Sequence, residues 1–237
     1  MAGPERARYE TGNYDFDPSD DVWKATEMRK VIVRISDPHT IVSYADIGCG
    51  NGGVFVSLYN ELLRCGFPLR RAIGYDVASA WKTVAQKHPE LEFRTADFLE
   101  DDIEVDLATL NDVLEHVTCP QTLLAGVARR SRYVALHIPL DDRLSVLLAE
   151  QWNRRIGVVG HISFWNPASA LNMVTSCGLL PLWCRFTPGF LAPSGRVRLL
   201  QKLALPLRML TYAVSPGIAA ATVGGVSLAV LCRGSKG

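Results

Sequence analysis

Apolar and polar residues alternate along this chain with two periods. After Asp20, the residues Met28, Val31, Ile32 and Ile35 recur at the i, i+3, i+4, i+7 spacing of a helix face, with Asp20 as the cap. Pro38 restricts Asp37 and ends that helix in the turn SDPH, after which IVSYADI, Ile41 to Ile47, reads as a strand. The spacing next predicts a helix from about Val54 to Cys65, with Val54, Leu58 and Leu62 on one face and Gly66 as its stop. RAIGYD is the next strand, SAWKTVAQKH a helix ended by Pro89, and LEFRT a short strand. VDLATLN follows as a strand, then helical DVLEHV and QTLLAGVARR, then the strand RYVALHI and a helix over roughly Leu144 to Arg154. Strand and helix repeated in this order imply a parallel sheet covered on both faces. No internal repeat or low-complexity segment interrupts it.

The last quarter of the chain is patterned differently. PASALNMVTSCG predicts a helix with Gly178 as stop, and LLPLWCRF a strand. RVRLLQKLALPLRML predicts a helix that Pro206 breaks or kinks, and GGVSLAVLC a closing strand. No charged residue falls between Arg208 and Arg233, which raises the question of a membrane span. Pro216, the small residues of Gly217–Ala221 and the Gly224–Gly225 pair favour a buried helix followed by a strand instead. Arg196, Arg198, Lys202 and Arg208, set among leucines, leave peripheral membrane contact open.

Composition narrows the class. The 237 residues are 48% hydrophobic and 21% charged, ordinary globular usage for one full domain or two small ones. We assign residues 1–20 to a loosely ordered N-terminus and 21–237 to one domain, with an insertion on the substrate side at about 188–223. The net charge of +1 supplies no long-range field for duplex nucleic acid. Six scattered cysteines without a C-x-x-C pair argue against a zinc ribbon or disulfide framework and suit a reducing compartment. The N-terminal residues are polar and lack the apolar core of a signal peptide, so the expected location is the cytosol.

The sharpest chemical signal is ADIGCGNGG, Ala45 to Gly53, between a strand and a helix. Gly48, Gly50 and Gly53 fit the dinucleotide spacing G-x-G-x-x-G, which alone is weak evidence. Asp46, at the strand end, also gives D-x-G-x-G-x-G through Gly52; a carboxylate there repels pyrophosphate but can organise the loop around a cation. Asp76 ends the following strand, where a carboxylate in a doubly wound fold bonds a ribose diol. The ribose belongs to both nucleotide classes and does not choose between them.

Taken together, ADIGCGNGG, GYD, TADF and LNDVLEHV resemble, in order and spacing, the class I S-adenosylmethionine-dependent methyltransferases over roughly Trp23 to Leu231. The resemblance implies a doubly wound, mostly parallel seven-stranded α/β sheet with an antiparallel last strand, the Rossmann-like methyltransferase fold. By the same resemblance Asp46, Gly48, Gly50 and Gly52 line the methionine and ribose, and Asp76 takes the ribose hydroxyls. Asp97 and Phe98 flank adenine, and Asn111 lies near the methionine end. Singly, Asp97 is as well explained as a turn residue and Phe98 as core.

Methyl transfer from a sulfonium is an in-line displacement, so alignment is the protein's main task. Methyltransferases acting on adenine amines carry Asn or Asp, two prolines and an aromatic after the fourth strand. Asn111, Asp112, Val113 and Leu114 stand there instead, which disfavours that acceptor. On a helix, Asp112, Glu115 and His116 share one face, and His161 follows in the later loop GHISFW. These four are candidate ligands for a divalent metal such as Mg, similar to those of metal-assisted O-methyltransferases of the quinone-biosynthesis and small-RNA-end types. Without a metal, acids at a helix start are explained by its dipole, and His116 or His161 serves as general base. His137 is expected to be a satisfied buried residue, and Lys24 to pair with a carboxylate or be solvated. Trp152, Trp165 and Trp183, with Thr187–Arg198, are candidates for an apolar acceptor pocket. The expectation is transfer of a methyl group to a small, sugar or lipid-linked acceptor at oxygen. Its rivals are a nicotinamide-dependent oxidoreductase and a non-catalytic cofactor-binding module.

Overall fold

The structure, a computed structural model, describes residues 18–148, 156–157, 160–193 and 199–236. Its first helix, α1 (Pro18–Ile32), starts two residues before the expected cap, so Asp20 lies in the first turn and pairs with Lys24 at 3.1 Å across one helical turn. A 3-10 turn over Pro38–Thr40, capped by the Asp37 carboxylate, shortens β1 to Ser43–Ile47. Then come α2 (Gly53–Arg64), β2 (Arg71–Asp76), α3 (Lys82–Ala85), β3 (Glu92–Thr95) and β4 (Val105–Asn111). The second half continues with α4 (Pro120–Arg130), β5 (Ser131–Pro139), α5 (Leu144–Leu148), α6 (Pro167–Ser176) and β6 (Leu180–Thr187). It closes with α7 (Leu199–Val214), α8 (Pro216–Ala221) and β7 (Ser227–Arg233).

The sheet runs β3-β2-β1-β4-β5-β7-β6, parallel except for β7, which is antiparallel to both neighbours. The order reverses between β1 and β4, where open α/β sheets bind ligands at their carboxyl edge. Alternate strand residues enter opposite cores. Tyr44, Leu107, Tyr133 and Leu231 pack with Met28, Val31, Phe55 and Leu58 of α1 and α2. Ala45, Ala108, Val134 and Val230 pack with Leu124, Val127, Ala170 and Val174 of α4 and α6. Period-2 alternation in strands and 3.6-residue stripes in helices thus meet on both faces, as the sequence pattern requires.

Several expected elements are corrected. The helix over SAWKTVAQKH is reduced to Lys82–Ala85. DVLEHV is not helical: Asp112 has φ +54°, His116 closes a single turn on the Val113 carbonyl, and the helix begins only at Pro120. The helix toward Arg154 is described only to Leu148, and Trp152 and the N-terminal residues 1–17 lie outside the described residues. Pro206 neither breaks nor ends α7. It stands on the exposed side, where water can bond the carbonyl that loses its helical partner. Leu203, Leu207, Leu210 and Val214 of α7 are exposed; within the segment expected to be a buried helix and final strand, α8 buries Ala219 and Ala220 and β7 is buried up to Arg233. No helix among the described residues is long and apolar enough to cross a membrane.

Candidate active site

At the switch between β1 and β4 the loop Gly48–Gly52 turns from strand to helix. Gly48, Gly50 and Gly52 all have positive φ, at 76°, 57° and 85°. A Cβ on Gly48 would lie 2.6 Å from a methyl of Val113, so the loop packs directly on the segment leaving β4. The amides of Gly48 and Cys49 bond the Tyr75 carbonyl, and the Gly50 amide donates to Asp76 Oδ2 at 2.8 Å. Asp76 Oδ1 accepts from the Ala78 amide at 2.8 Å, so the carboxylate is fixed at the end of β2 with acceptor capacity remaining on both oxygens.

Three carboxylates surround this loop. Asp46 is buried beneath it, accepting from Thr109 Oγ1 at 2.5 Å and Asn111 Nδ2 at 3.0 Å. Burial pushes its pKa up to about 7, the Thr109 and Asn111 bonds lower it, and nearby Asp76 raises it. Burial likewise raises Asp76 above the usual carboxylate range, opposed by its backbone N–H donors. Asp21 of α1 presses against Gly53, the first residue of α2. A helix N-terminus is the usual seat of a pyrophosphate; here a carboxylate occupies that ground, and a second anion would be repelled.

Asp97 and Phe98 separate in the structure. Asp97 is exposed, its Oδ1 accepting from the Leu99 amide. Phe98 is buried edge-on against Tyr75, with its ring in the core. The Phe98 ring thus has its apolar partners on the inner side of the chain, and the 97–98 segment lies just after β3.

The expected quartet of ligands also divides. Asp112, turned by its positive φ, accepts from Lys24 Nζ at 2.9 Å and from His137 Nδ1 at 2.6 Å. His137 Nε2 faces Thr187 Oγ1 at 2.9 Å, so His137 is buried and satisfied as expected. Burial alone would raise Asp112, but Lys24 and His137 outweigh it and hold the carboxyl well below the usual range. Burial alone would lower Lys24, but Asp112 and Asp20 hold it above an ordinary lysine. Asp112 is thus committed to a structural network and stands apart from the other three.

Glu115, His116 and His161 do come together, each buried, each offering a ligand atom within 4.8 Å of the others. The turn carrying Glu115 is pinned to the later loop by Ile162 and Ser163 amides donating to the Glu115 carbonyl. His116 Nδ1 lies 3.0 Å from the Gly160 carbonyl, which can only accept, so Nδ1 carries the proton and Nε2 is the nitrogen that can accept. Burial, with His161 beside it, lowers His116 to about 4 and keeps the ring neutral. His161 Nδ1 stands 3.0 Å from Asp141 Oδ2, off the line of a hydrogen bond, while Arg143 donates to the other Asp141 oxygen at 2.6 Å. Neither Glu115 oxygen has a hydrogen-bond partner among the described residues, and burial, followed by the Asp112 charge, raises its pKa well above normal.

Sequence pattern does not single out Thr109, Thr187, Asp141, Asp21 or the Gly160 carbonyl. They come from a helix, strands and loops far apart in the chain, so no local spacing marks them. Among the described residues, Trp165 and Trp183 do not share a pocket. Trp165 is buried in the core, and Trp183, on the edge strand β6, lies under the Arg34 guanidinium at 4.5 Å.

The profile of the methyltransferase domain family matches residues 23–179. The chain belongs to that family and is a class I S-adenosylmethionine-dependent methyltransferase. Among solved structures it is similar to a chain of the complex between the Haloferax volcanii Trm112 methyltransferase activator and a methyltransferase, at TM-score 0.62 and 14% identity over 99% of both chains. It is similar to magnesium protoporphyrin IX methyltransferase (ChlM) from Synechocystis PCC 6803 with bound SAH, at TM-score 0.59 and 14% identity, over 98% of this chain and 93% of that one. The mitomycin 7-O-methyltransferase MmcR matches at TM-score 0.55 and 15% identity over 88% of this chain and 53% of its own. At such identities the likeness is one of fold. No curated protein matches the sequence.

Proposed function

We propose that the protein moves the methyl group of S-adenosylmethionine to a hydroxyl oxygen of a small or lipid-linked acceptor. The observation that carries the oxygen assignment is the buried Glu115–His116–His161 cluster on the segments leaving β4 and β5, two residues beyond the Val113 that packs on Gly48. The cationic sulfonium suits a loop ringed by Asp21, Asp46 and Asp76, with Asp76 available to the ribose hydroxyls and Asn111 beside Asp46 at the methionine end. Alignment of donor and acceptor can supply roughly 7–11 kcal/mol of the barrier, which leaves removal of the hydroxyl proton as the task for side chains.

The cluster also fits a divalent cation. Two buried carboxylate oxygens without a hydrogen-bond partner among the described residues and one imidazole with its proton turned away to a carbonyl are an arrangement that a cation would satisfy. With Asp112 withdrawn, the set is two histidines and one carboxylate, which suits zinc, iron(II) or manganese better than the magnesium expected from an acid-rich set. A cation held there would lower the pKa of a nearby acceptor hydroxyl. A second, metal-free reading rests on the Asp141–His161 pair: the carboxylate stands 3.0 Å from Nδ1, and Nε2 is the nitrogen that would take the proton. His116, held near 4, is too weak a base to share that role.

Titration of the protein with S-adenosylhomocysteine and with NADH tests the cofactor; heat with the first and none with the second is expected. Turnover of labelled S-adenosylmethionine on a panel of hydroxylated and amino acceptors, with mass spectrometry of the product, tests the atom. Methylation confined to nitrogen or carbon would remove the oxygen assignment.

A further inference from the structure

We propose that α7 and α8 dock the protein on an anionic lipid surface. The segment between β6 and β7 sits at the carboxyl edge of the sheet, because Thr187 and Ser227 pair at the strand ends beside Pro139 of β5. On α7, Leu203, Leu207, Leu210 and Val214 recur at i, i+4, i+7 and i+11, one continuous stripe, and each is 56–75% exposed. Met209 and, on α8, Ile218 are exposed as well. At ~1.5 Å per residue α7 is about 24 Å long, a helix that can lie in a bilayer interface along its whole length.

Charge decides what covers the face. The segment between β6 and β7, residues 188–226, contains Arg196, Arg198, Lys202 and Arg208 and no Asp or Glu, whereas the rest of the chain contains 24 acidic and 21 basic residues. The overall charge of +1 conceals this segregation. An isologous pairing of two copies through α7 would set the basic region of one copy against that of the other. An anionic headgroup layer answers both the charge and the apolar stripe. The cap is also joined to the active-site edge: Tyr212 of α7 donates to the Phe186 carbonyl at 2.8 Å, and the next residue, Thr187, bonds His137 of the Asp112 network. An amphiphilic acceptor would then enter from the lipid side. That consequence rests on the methyl-transfer reading, while the docking does not.

The test is sedimentation of the full chain with vesicles of phosphatidylglycerol and phosphatidylcholine in equal parts, and with phosphatidylcholine alone. The protein should sediment with the anionic vesicles, less so as salt screens the attraction, and the pair Leu207→Glu, Leu210→Glu should weaken this about tenfold or more. Val214→Glu, at another exposed position of the stripe, should weaken it in the same direction. All variants should keep their affinity for S-adenosylhomocysteine, which shows that they are folded. Absence of wild-type protein from the anionic pellet, undiminished binding by the glutamate variants, or a wild-type dimer that those variants dissociate would each overturn docking. Failure to bind S-adenosylhomocysteine would overturn the methyl-transfer reading and leave docking standing.

Discussion

Gly48→Ala and Gly66→Ala form a pair that isolates what the glycine loop does. Both positions have positive φ, +76° and +84°, so both alanines meet the same backbone strain. That strain costs roughly 1–2 kcal/mol. They differ in surroundings: a Cβ at Gly66 meets nothing within 4 Å, whereas one at Gly48 lies 2.6 Å and 3.1 Å from the two γ-methyls of Val113. Those methyls must retreat by about 1 Å to reach ordinary contact, an overpacking cost of roughly 1–3 kcal/mol. Gly48→Ala should therefore lose about 2–5 kcal/mol in all, and at ~2–4 °C per kcal/mol its Tm should fall at least as far as that of Gly66→Ala and about twice as far at the midpoint of these ranges. Titration with S-adenosylhomocysteine then separates stability from site geometry. Because Val113 is displaced beside the cofactor loop, Gly48→Ala should bind about tenfold or more weakly, while Gly66→Ala binds normally. Equal Tm losses with unchanged affinity in both variants would refute the placement of the cofactor against this loop.

Asp76→Ala should weaken S-adenosylmethionine binding by about a decade or more, through loss of a charge-assisted ribose bond and of the Gly50 and Ala78 anchors, as read by calorimetry. Asp46, protonated up to about pH 7, should give up its proton when the sulfonium binds, so affinity should rise between pH 6 and 8 by about tenfold for each unit its pKa falls. Because the folded pKa is raised, its stability contribution is complete below the ordinary Asp range and lost as pH climbs to 7; Asp46→Asn should abolish both dependences. Zinc or manganese should bind the wild-type chain with proton release, measured by calorimetry in two buffers, and Glu115→Gln should bind at least about tenfold more weakly. Full turnover in excess chelator would instead favour the Asp141–His161 base, and His161→Gln should then cost about 100-fold or more in kcat.

The legibility of the fold follows from where its information lies. Strands β1, β2, β4 and β5 were marked by short apolar runs, α1 and α2 by stripes, and the glycine loop by residues whose backbone alone can make that turn. Such signals are local. The run DVLEHV carried a helical stripe too, yet tertiary contacts overrode it: Asp112 takes a positive φ to reach Lys24 and His137, and the Glu115 carbonyl is claimed by the 162–163 amides. The helix of α7 was visible, but its exposure was not, since an apolar stripe does not say which neighbour covers it.

By itself, then, the sequence determined the alternation of strands and helices, the position of the glycine loop and the carboxylates Asp46 and Asp76 that flank it. Only the tertiary structure decided that Asp112 leaves the Glu115–His116–His161 cluster, that Phe98 points into the core and that Asp21 closes the anion seat at α2. The physical reason is separation along the chain. Asp112 meets His137 across 25 residues, His116 meets Gly160 across 44, and Asp46 meets Thr109 across 63, contacts that exist only once the strand ends are aligned in the sheet.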